Sequence, residues 1–168
     1  MPEASSIDWL DELRIKAAIG ELNAAFCHHL DHGEREALVE LFTDDAFYTH
    51  GPRVSRGKEK IAQVFARRAA RGVRTARHVQ SGLRIAVESP ERARGMSVCL
   101  TFAADAAPPI ASAEPFLVAD FEDRYRLCED GRWRFAERHI HRIFEGAASD
   151  GPMGMPEASE VAAEDGGT

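Results

Sequence analysis

The chain has 168 residues, of which 44% are hydrophobic, and this is enough for one domain with its own buried core. Five acidic residues and no basic ones lie in residues 147–168, so the rest of the chain carries only -2 of the formal net charge of -7. Such a nearly neutral body argues against a nucleic-acid partner, which needs a clustered basic surface. The one basic run is interpreted as a solvated helix face and comprises Arg67, Arg68, Arg71, Arg74 and Arg77.

Cysteine content and hydropathy indicate the compartment. The three cysteines, Cys27, Cys99 and Cys128, are odd in number and widely spaced, without a CxxC pair, which is typical of a reducing compartment and gives no zinc framework. No apolar run approaches the ~20 residues of a membrane-spanning helix, and the N-terminus has no signal-peptide pattern. We therefore predict a cytoplasmic protein with no membrane partner.

Hydrophobic residues at helical spacing predict three helices in the first half of the chain. After a flexible N-terminus at residues 1–7, Ser6 or Asp8 is expected to cap a first helix with a broad apolar stripe. This helix ends at about Asp31, because Gly33 follows two residues later. A short second helix and a third, amphipathic helix are predicted at residues 34–42 and 57–71.

Hydrophobic residues that alternate with a period of two predict a sheet in the second half of the chain. Because helices come first and strands last, the pattern favours an α+β fold, with helices packed on one face of a curved antiparallel sheet, over a parallel α/β fold. This domain is expected over residues 8–146, and an acidic tail, disordered or docked on a neighbour, over residues 147–168. The strands are predicted at about residues 46–50, 83–87, 96–102, 116–127 and 133–144.

Asp31 is unusual because it lies in the last turn of the predicted first helix. The C-terminus of a helix carries partial negative charge, so a carboxylate there is disfavoured by about a few tenths of a kcal/mol unless a cation or a hydrogen-bond donor meets it. Asp31 is therefore expected to have a partner elsewhere in the fold.

Three segments carry a resemblance to a known family, and they read LDHGEREALVELFTDDAFY from Leu30, RGKEKIAQVF from Arg56 and DGRWRFAERHI from Asp130. Together they resemble the SnoaL-like branch of the nuclear transport factor two-like, or cystatin-like, superfamily. The resemblance implies a cone-shaped, curved sheet wrapped around the N-terminal helices. Within the branch, the pattern is most similar to the scytalone dehydratase, hexachlorocyclohexane dehydrochlorinase and bile-acid dehydratase group, whose members use a His-Asp pair inside the cone.

The resemblance also implies the site residues. Asp31 falls on the family's aspartate, and His78, in TARHVQ, falls on its catalytic histidine. His50 falls where two dehydratases of the group carry a tyrosine, and Phe26 occupies another tyrosine position without the hydroxyl. Arg142 matches an arginine on the last strand of the bile-acid enzyme. Thr101 falls where that enzyme carries an acid on its middle strand.

The residue types at the first two positions suit proton transfer. A buried carboxylate beside an imidazole fixes the histidine tautomer, leaves the other nitrogen free to accept a proton and stabilises the imidazolium that results. In an apolar cavity, Asp31 and His78 would act as a general base on a carbon next to a carbonyl or a leaving group. The alternative is that Asp31 caps a local group and His78 is a strand-edge histidine.

Two further positions are candidates for contacting the substrate. Tyr48 and His50 are two residues apart, so they project to the same face of one strand. If that face lines the cavity, either could protonate a departing hydroxide; otherwise it meets solvent near the following turn. Arg142, expected to share a face with Ile140 and Phe144, would enter the apolar interior to meet an anion or lie at the rim paired with a surface acid.

Two groups of histidines are candidate metal ligands, namely His28, His29 and His32, and His139 with His141. His28 and His32 have the spacing to share a metal, but they lack the glutamate of an HExxH motif and a completing set of thiolates or carboxylates, so no metal site is predicted. His139 and His141 are assigned instead to sheet packing or a dimer interface. No GxGxxG or GxxxxGK[ST] motif is present, so no cofactor is expected.

The leading functional hypothesis is a cofactor-independent, dehydratase-like lyase that acts on a small, mostly apolar cyclic substrate, of aromatic, polyketide or steroid type. His78 would be the base and Asp31 would orient it. An isomerase or polyketide cyclase would use the same base without a leaving group. The changes at Phe26 and Thr101 favour another class, a non-catalytic module resembling the small subunits of ring-hydroxylating dioxygenases.

One face of the predicted sheet has no helix to cover it. An exposed sheet face of this kind predicts a homodimer or homotrimer that buries it. Light scattering measures the oligomeric state directly, and a monomer in solution would contradict the prediction.

Overall fold

The computed structural model describes residues 7–111 and 114–146. In this part of the chain, two helices and a short hairpin precede a third helix, and four long strands follow. The predicted tail at residues 147–168 lies outside the described residues. The elements are α1 (Trp9–His32), α2 (Arg35–Glu40), β1 (Phe42–His50), β2 (Arg53–Arg56), α3 (Lys58–Ala69), β3 (Thr75–Ser89), β4 (Arg92–Ala104), β5 (Leu117–Leu127) and β6 (Trp133–Glu145).

The strands form one sheet in the order β2-β1-β6-β5-β4-β3, with β2 and β3 at its edges. The α+β prediction is confirmed, but the expectation of an entirely antiparallel sheet is wrong, because β1 and β6 pair in parallel. The other neighbours are antiparallel. The β1–β6 pair can be parallel because no hairpin joins these two strands, whereas hairpins join β3 to β4 and β5 to β6.

Helix α1 lies against the sheet through an apolar stripe. Ile15, Ile19, Leu22 and Phe26 recur every three or four residues, share one face and are at most 9% exposed. The helix ends as predicted, with Gly33 in the left-handed conformation at a φ of 72°. At its start, Asp8 occupies the N-cap position as predicted, but its side chain makes no capping hydrogen bond. None of the described helices is long and apolar enough to cross a membrane.

The hairpin of β1 and β2 departs most from the predicted elements. Strand β1 begins at Phe42, four residues earlier than predicted, because a register shift between Phe42 and Phe47 accommodates a polar stretch. Strand β2 was not predicted at all. Its polar residues Arg53 and Ser55 are buried while Val54 is exposed, which reverses the alternation that identifies a strand in a sequence.

The outer face of the sheet carries an apolar row that crosses four strands. Val79, Leu100, Val118 and Phe144 are successive partners in the strand register. The row is accessible, since Val79 is 50% exposed and Phe144 is 68% exposed. A homodimer or homotrimer would bury this row, and the oligomeric state stays a prediction.

Candidate active site

The fold brings Asp31, in the last turn of α1, against His78 near the start of β3. His78 Nδ1 lies 2.6 Å from Asp31 Oδ1, and the backbone N–H of His78 donates to Asp31 Oδ2 at 2.9 Å. Both side chains are only 7% exposed. The helix-terminal carboxylate therefore meets two donors from β3, which are the partners that its position in the helix requires.

The protonation states of this pair follow from its contacts. Burial would raise the pKa of the Asp31 carboxyl, but the hydrogen bonds from His78 outweigh it and hold the pKa below its usual value. Burial lowers the pKa of His78 and outweighs the opposing effect of its bond to Asp31. The pair is thus a carboxylate beside a neutral imidazole, with the proton on Nδ1. Nε2 has no hydrogen-bonding partner among the described residues and keeps its lone pair available.

Tyr48 and His50 lie on the inner side of β1, near this pair. Tyr48 is 2% exposed and packs against Phe42 and Phe65, and burial raises the pKa of its hydroxyl, which stays protonated. Both ring nitrogens of His50 are buried and have no partner in the described part of the chain. Burial, reinforced by the charge of Arg142, lowers the pKa of His50 to about 3, so its ring is neutral. Both side chains are hydrogen-bond donors in an enclosed environment.

The low pKa of His50 predicts a stability that falls in acid. The unfolded chain protonates this residue near pH 6.5, whereas the folded protein does so only near pH 3. Between these values the unfolded state binds more protons than the folded state. The free energy of unfolding therefore decreases as the pH is lowered, and His50 alone accounts for a loss of about 3 kcal/mol from about pH 7 to pH 4. Urea titrations of a His50→Gln variant should therefore show a smaller loss over that range than the wild type.

Part of the acid sensitivity should remain in that variant, because the pKa of His78 is also lowered by burial. His32→Gln, at an exposed position on α1, is the matched control and should follow the wild type. An identical loss of stability in His50→Gln and the wild type would contradict the prediction.

Arg142 lies at the rim rather than in the interior. Its Nη1 donates to Glu145 Oε1 at 2.8 Å, and its guanidinium packs against Gly51 at the end of β1. Two positions were predicted for Arg142, in the apolar interior or at the rim beside a surface acid, and the structure shows the second. The expectation that it shares a face with Phe144 is wrong, because a register shift between Val118 and Ala119 turns Phe144 to the outer face.

Phe26 and Thr101 occupy different environments. Phe26 lies in the aromatic core, with ring centroids 5.7 Å from Phe135 and 6.1 Å from Phe42, and it is 1% exposed. Thr101 is buried on β4, directly opposite His78 in the strand register. Their contacts with a substrate stay a prediction.

A buried polar network that the sequence analysis missed lies beneath the candidate site. The Arg138 guanidinium donates from Nε and Nη2 to the two carboxylate oxygens of Asp123, both at 2.8 Å, and from Nη2 to Asn23 Oδ1 at 2.6 Å. Tyr125 donates to the same carboxylate at 2.9 Å. The Arg138 and Asp123 side chains are fully buried. The guanidinium also stacks on three aromatic rings, those of Phe26, Phe121 and Phe135.

Two other predicted features are corrected by the structure. The basic run is not one solvated helix face, because α3 ends at Ala69, Arg77 lies on β3, and Arg68 turns inward. The prediction that no carboxylate joins the histidines of α1 is also wrong, because ligand atoms of His28, His29 and Glu34 lie within 4.8 Å of one another. Glu34 accepts a hydrogen bond from His29 Nδ1 at 2.5 Å, so a hydrogen bond at the protein surface accounts for this contact.

His139 and His141 lie together on β6, with ring centroids 6.4 Å apart. His139 contacts Thr49 on β1 and Glu137 on its own strand, and His141 contacts Glu122 on β5. These contacts join neighbouring strands, in line with the sheet-packing role predicted for the two histidines.

Helices packed on a curved, open sheet with one parallel pair, β1 and β6, define the chain as an α+β protein of the cystatin-like class. Within that class, the chain belongs to the SnoaL-like domain family, whose model matches residues 11–139. The family resemblance predicted from the three sequence segments is thereby confirmed. No curated protein sequence matches the chain.

Solved structures of low sequence identity share the fold. A protein from Novosphingobium aromaticivorans DSM 12444, provisionally named a scytalone dehydratase, has a TM-score of 0.72 at 20% identity over 81% of this chain and 89% of that chain. Hexachlorocyclohexane dehydrochlorinase LinA-type3 from Novosphingobium barchaimii LL02 has a TM-score of 0.67 at 19% identity over 82% and 92%. ActVI-ORFA from Streptomyces coelicolor has a TM-score of 0.66 at 19% identity over 76% of this chain and 96% of that chain. At these identities the similarity establishes the fold alone.

Proposed function

We propose that this protein is a cofactor-independent lyase of the dehydratase type that acts on a small, largely apolar cyclic substrate. The observation that carries the proposal is the buried contact between His78 Nδ1 and Asp31 Oδ1, which leaves a neutral imidazole with a free acceptor nitrogen. Membership of the SnoaL-like family supports it. Similar structures named as a dehydrochlorinase and, provisionally, a dehydratase support an elimination in particular.

In the proposed reaction, His78 Nε2 removes a proton from a carbon next to a carbonyl group. The electron pair of that C–H bond forms a C=C bond, and the C–O bond to the leaving hydroxyl breaks. The imidazolium returns the proton to the departing oxygen, so the sum of the steps is the loss of one water. Asp31 holds the imidazole by Nδ1 and stabilises its positive charge during the reaction.

The surroundings of the pair favour this chemistry. Tyr48 and His50 keep their protons, and either one can donate a hydrogen bond to the leaving oxygen. The aromatic rings of Phe42 and Phe65 beside Tyr48 make this region apolar, so charge interactions there are stronger than in water. Such walls suit a substrate with an apolar ring.

The alternatives differ in the fate of the proton. An isomerase or polyketide cyclase would use the same base but return the proton to another carbon, and no group would leave. A non-catalytic subunit would not need Asp31 and His78 within hydrogen-bonding distance, so their contact favours an enzyme.

Mass spectrometry of reactions in D₂O distinguishes these functions. The full chain is incubated with a panel of cyclic β-hydroxy ketones, both with and without a carboxylate group, and each reaction is compared with one that contains the His78→Ala variant. A lyase yields a product lighter by one water, whereas an isomerase leaves the composition unchanged and introduces deuterium from the solvent. A panel in which no member loses water or exchanges a proton would contradict a base function for His78.

A further inference from the structure

Arg68 lies on the buried side of α3, where the sequence pattern places apolar residues. It follows Ile61 by seven residues and Phe65 by three, so the three side chains lie on one face of the helix. Ile61 and Phe65 are at most 3% exposed, and Arg68 is partly buried beside them. The guanidinium has no hydrogen bond or ion pair with any other described residue.

Arg68 follows Phe65 by about one turn of α3, and the Phe65 ring packs 5.9 Å from the ring of Tyr48, so the helix brings Arg68 to the inner side of β1 at the candidate active site. Burial lowers its pKa to about 10, and its electrostatic neighbours include Tyr48 and Asp31. Arg68 in turn lowers the pKa of His78 and of His50, after the larger effect of burial on each ring. The guanidinium therefore lies within electrostatic range of all four side chains.

The described residues leave the Arg68 guanidinium without a free carboxylate partner. Asp31 is the carboxylate that acts on Arg68 in this part of the chain, and its two oxygens already accept hydrogen bonds from His78. His50 contributes two buried nitrogens without a partner among the described residues, one of which carries a proton.

A guanidinium that is partly removed from water and has no counterion opposes folding, and perturbed charged groups of this kind cluster at functional sites. We propose that Arg68 and His50 form a binding subsite for a carboxylate group of the substrate. This inference rests on the proposed function, because it places the carboxylate beside the base His78, and it narrows the substrate class to cyclic organic acids. The guanidinium supplies paired N–H donors of the spacing that a carboxylate accepts, and the His50 N–H supplies another.

Binding of simple probes tests the subsite without turnover. Isothermal titration of the full chain compares benzoate and cyclohexanecarboxylate with their neutral amides, benzamide and cyclohexanecarboxamide. The carboxylates should bind at least about tenfold more tightly than the amides, because a charge-assisted, desolvated pair is lost in the amide. Carboxylates that bind no more tightly than their amides would overturn the proposal.

The Arg68→Gln variant identifies the residue responsible, and Arg67→Gln, at the exposed neighbouring position on α3, is its matched control. Arg68→Gln should bind the carboxylates about tenfold more weakly than the wild type and the amides with unchanged affinity. Arg67→Gln should bind the carboxylates with an affinity within about twofold of the wild type. An equal loss in both variants would assign binding to general positive charge and overturn the subsite.

Thermal unfolding shows whether Arg68→Gln is folded, and its Tm should equal or exceed that of the wild type because an unpaired desolvated charge is removed. Arg68→Lys gives a second check, since it keeps the charge without the paired donors and should bind carboxylates with intermediate affinity.

If carboxylates bind through Arg68 but no panel member loses water, the subsite stands and the lyase proposal fails. If water is lost and Arg68→Gln binds carboxylates like the wild type, the lyase proposal stands and the subsite fails.

Discussion

Replacing His78 with alanine is expected to lower turnover of a dehydration substrate about 10³-fold, because general bases contribute roughly 10²- to 10⁴-fold to reaction rates. The loss should fall on kcat, since the proton is transferred only in the transition state. The fold should persist, although Asp31 loses its side-chain partner at a cost of about 1–3 kcal/mol in stability. Rates followed by mass spectrometry and circular dichroism of the same samples provide the two measurements.

Asp31→Asn tests the orientation of the histidine. The amide oxygen can accept from the His78 backbone N–H as the carboxylate does, but the amide NH₂ then faces Nδ1 and donates to it. That tautomer has its proton on Nε2, which no longer accepts a proton from the substrate, so turnover should fall by about 10³- to 10⁴-fold. His32→Ala, at the exposed neighbouring residue, should keep wild-type rates. Asp31→Asn with wild-type turnover would contradict the assigned mechanism.

The pH profile gives an independent check on the same base. His78 acts in its neutral form, so kcat/KM falls as the pH drops through its pKa in the free enzyme. Burial lowers that pKa below the usual value of about 6.5, and the acidic limb of the profile should therefore lie below pH ~6.5. An acidic limb above that value would mean that the raising effect of Asp31 outweighs burial in the working enzyme.

The sequence predicts the position of Asp31 well because local rules determine it. An apolar stripe with a period of 3.6 residues identifies α1, and Gly33 ends it in the left-handed conformation. The acid in the last turn then requires a donor, although nothing local identifies which one. The assignment of His78 came from the family resemblance, since α1 and β3 meet only through the tertiary fold.

Arg138 shows where strand periodicity fails. Phe135 and Arg138 both face the interior, although they are an odd number of residues apart, because the register of β5 and β6 shifts between Arg124 and Tyr125. Strict alternation would place one of them outside. Arg68 was missed for a related reason, because a charged residue at an inward helical position reads as solvated unless its environment is known.

Replacing Arg138 with methionine is expected to destabilise the protein by about 3–5 kcal/mol, as for other buried ion pairs that lose one partner. The substitution keeps most of the apolar stem but removes both bonds to Asp123 and the guanidinium that stacks on the Phe135 ring. Among the described side chains, the Tyr125 hydroxyl is then the remaining donor to this fully buried carboxylate, and the uncompensated charge is the main penalty. Urea unfolding measures the change in the free energy of unfolding.

The double variant Arg138→Met with Asp123→Leu separates the buried charge from the lost contacts. If the uncompensated carboxylate causes most of the penalty, removing it should restore at least about half of the stability, since apolar replacements of buried pairs are often neutral. Arg124→Met is the control on the same sheet, because its exposed pair with Glu137 should contribute less than about 1 kcal/mol. A double variant no more stable than Arg138→Met alone would show that the hydrogen bond to Asn23 and the aromatic stacking, rather than charge compensation, hold Arg138 in the core.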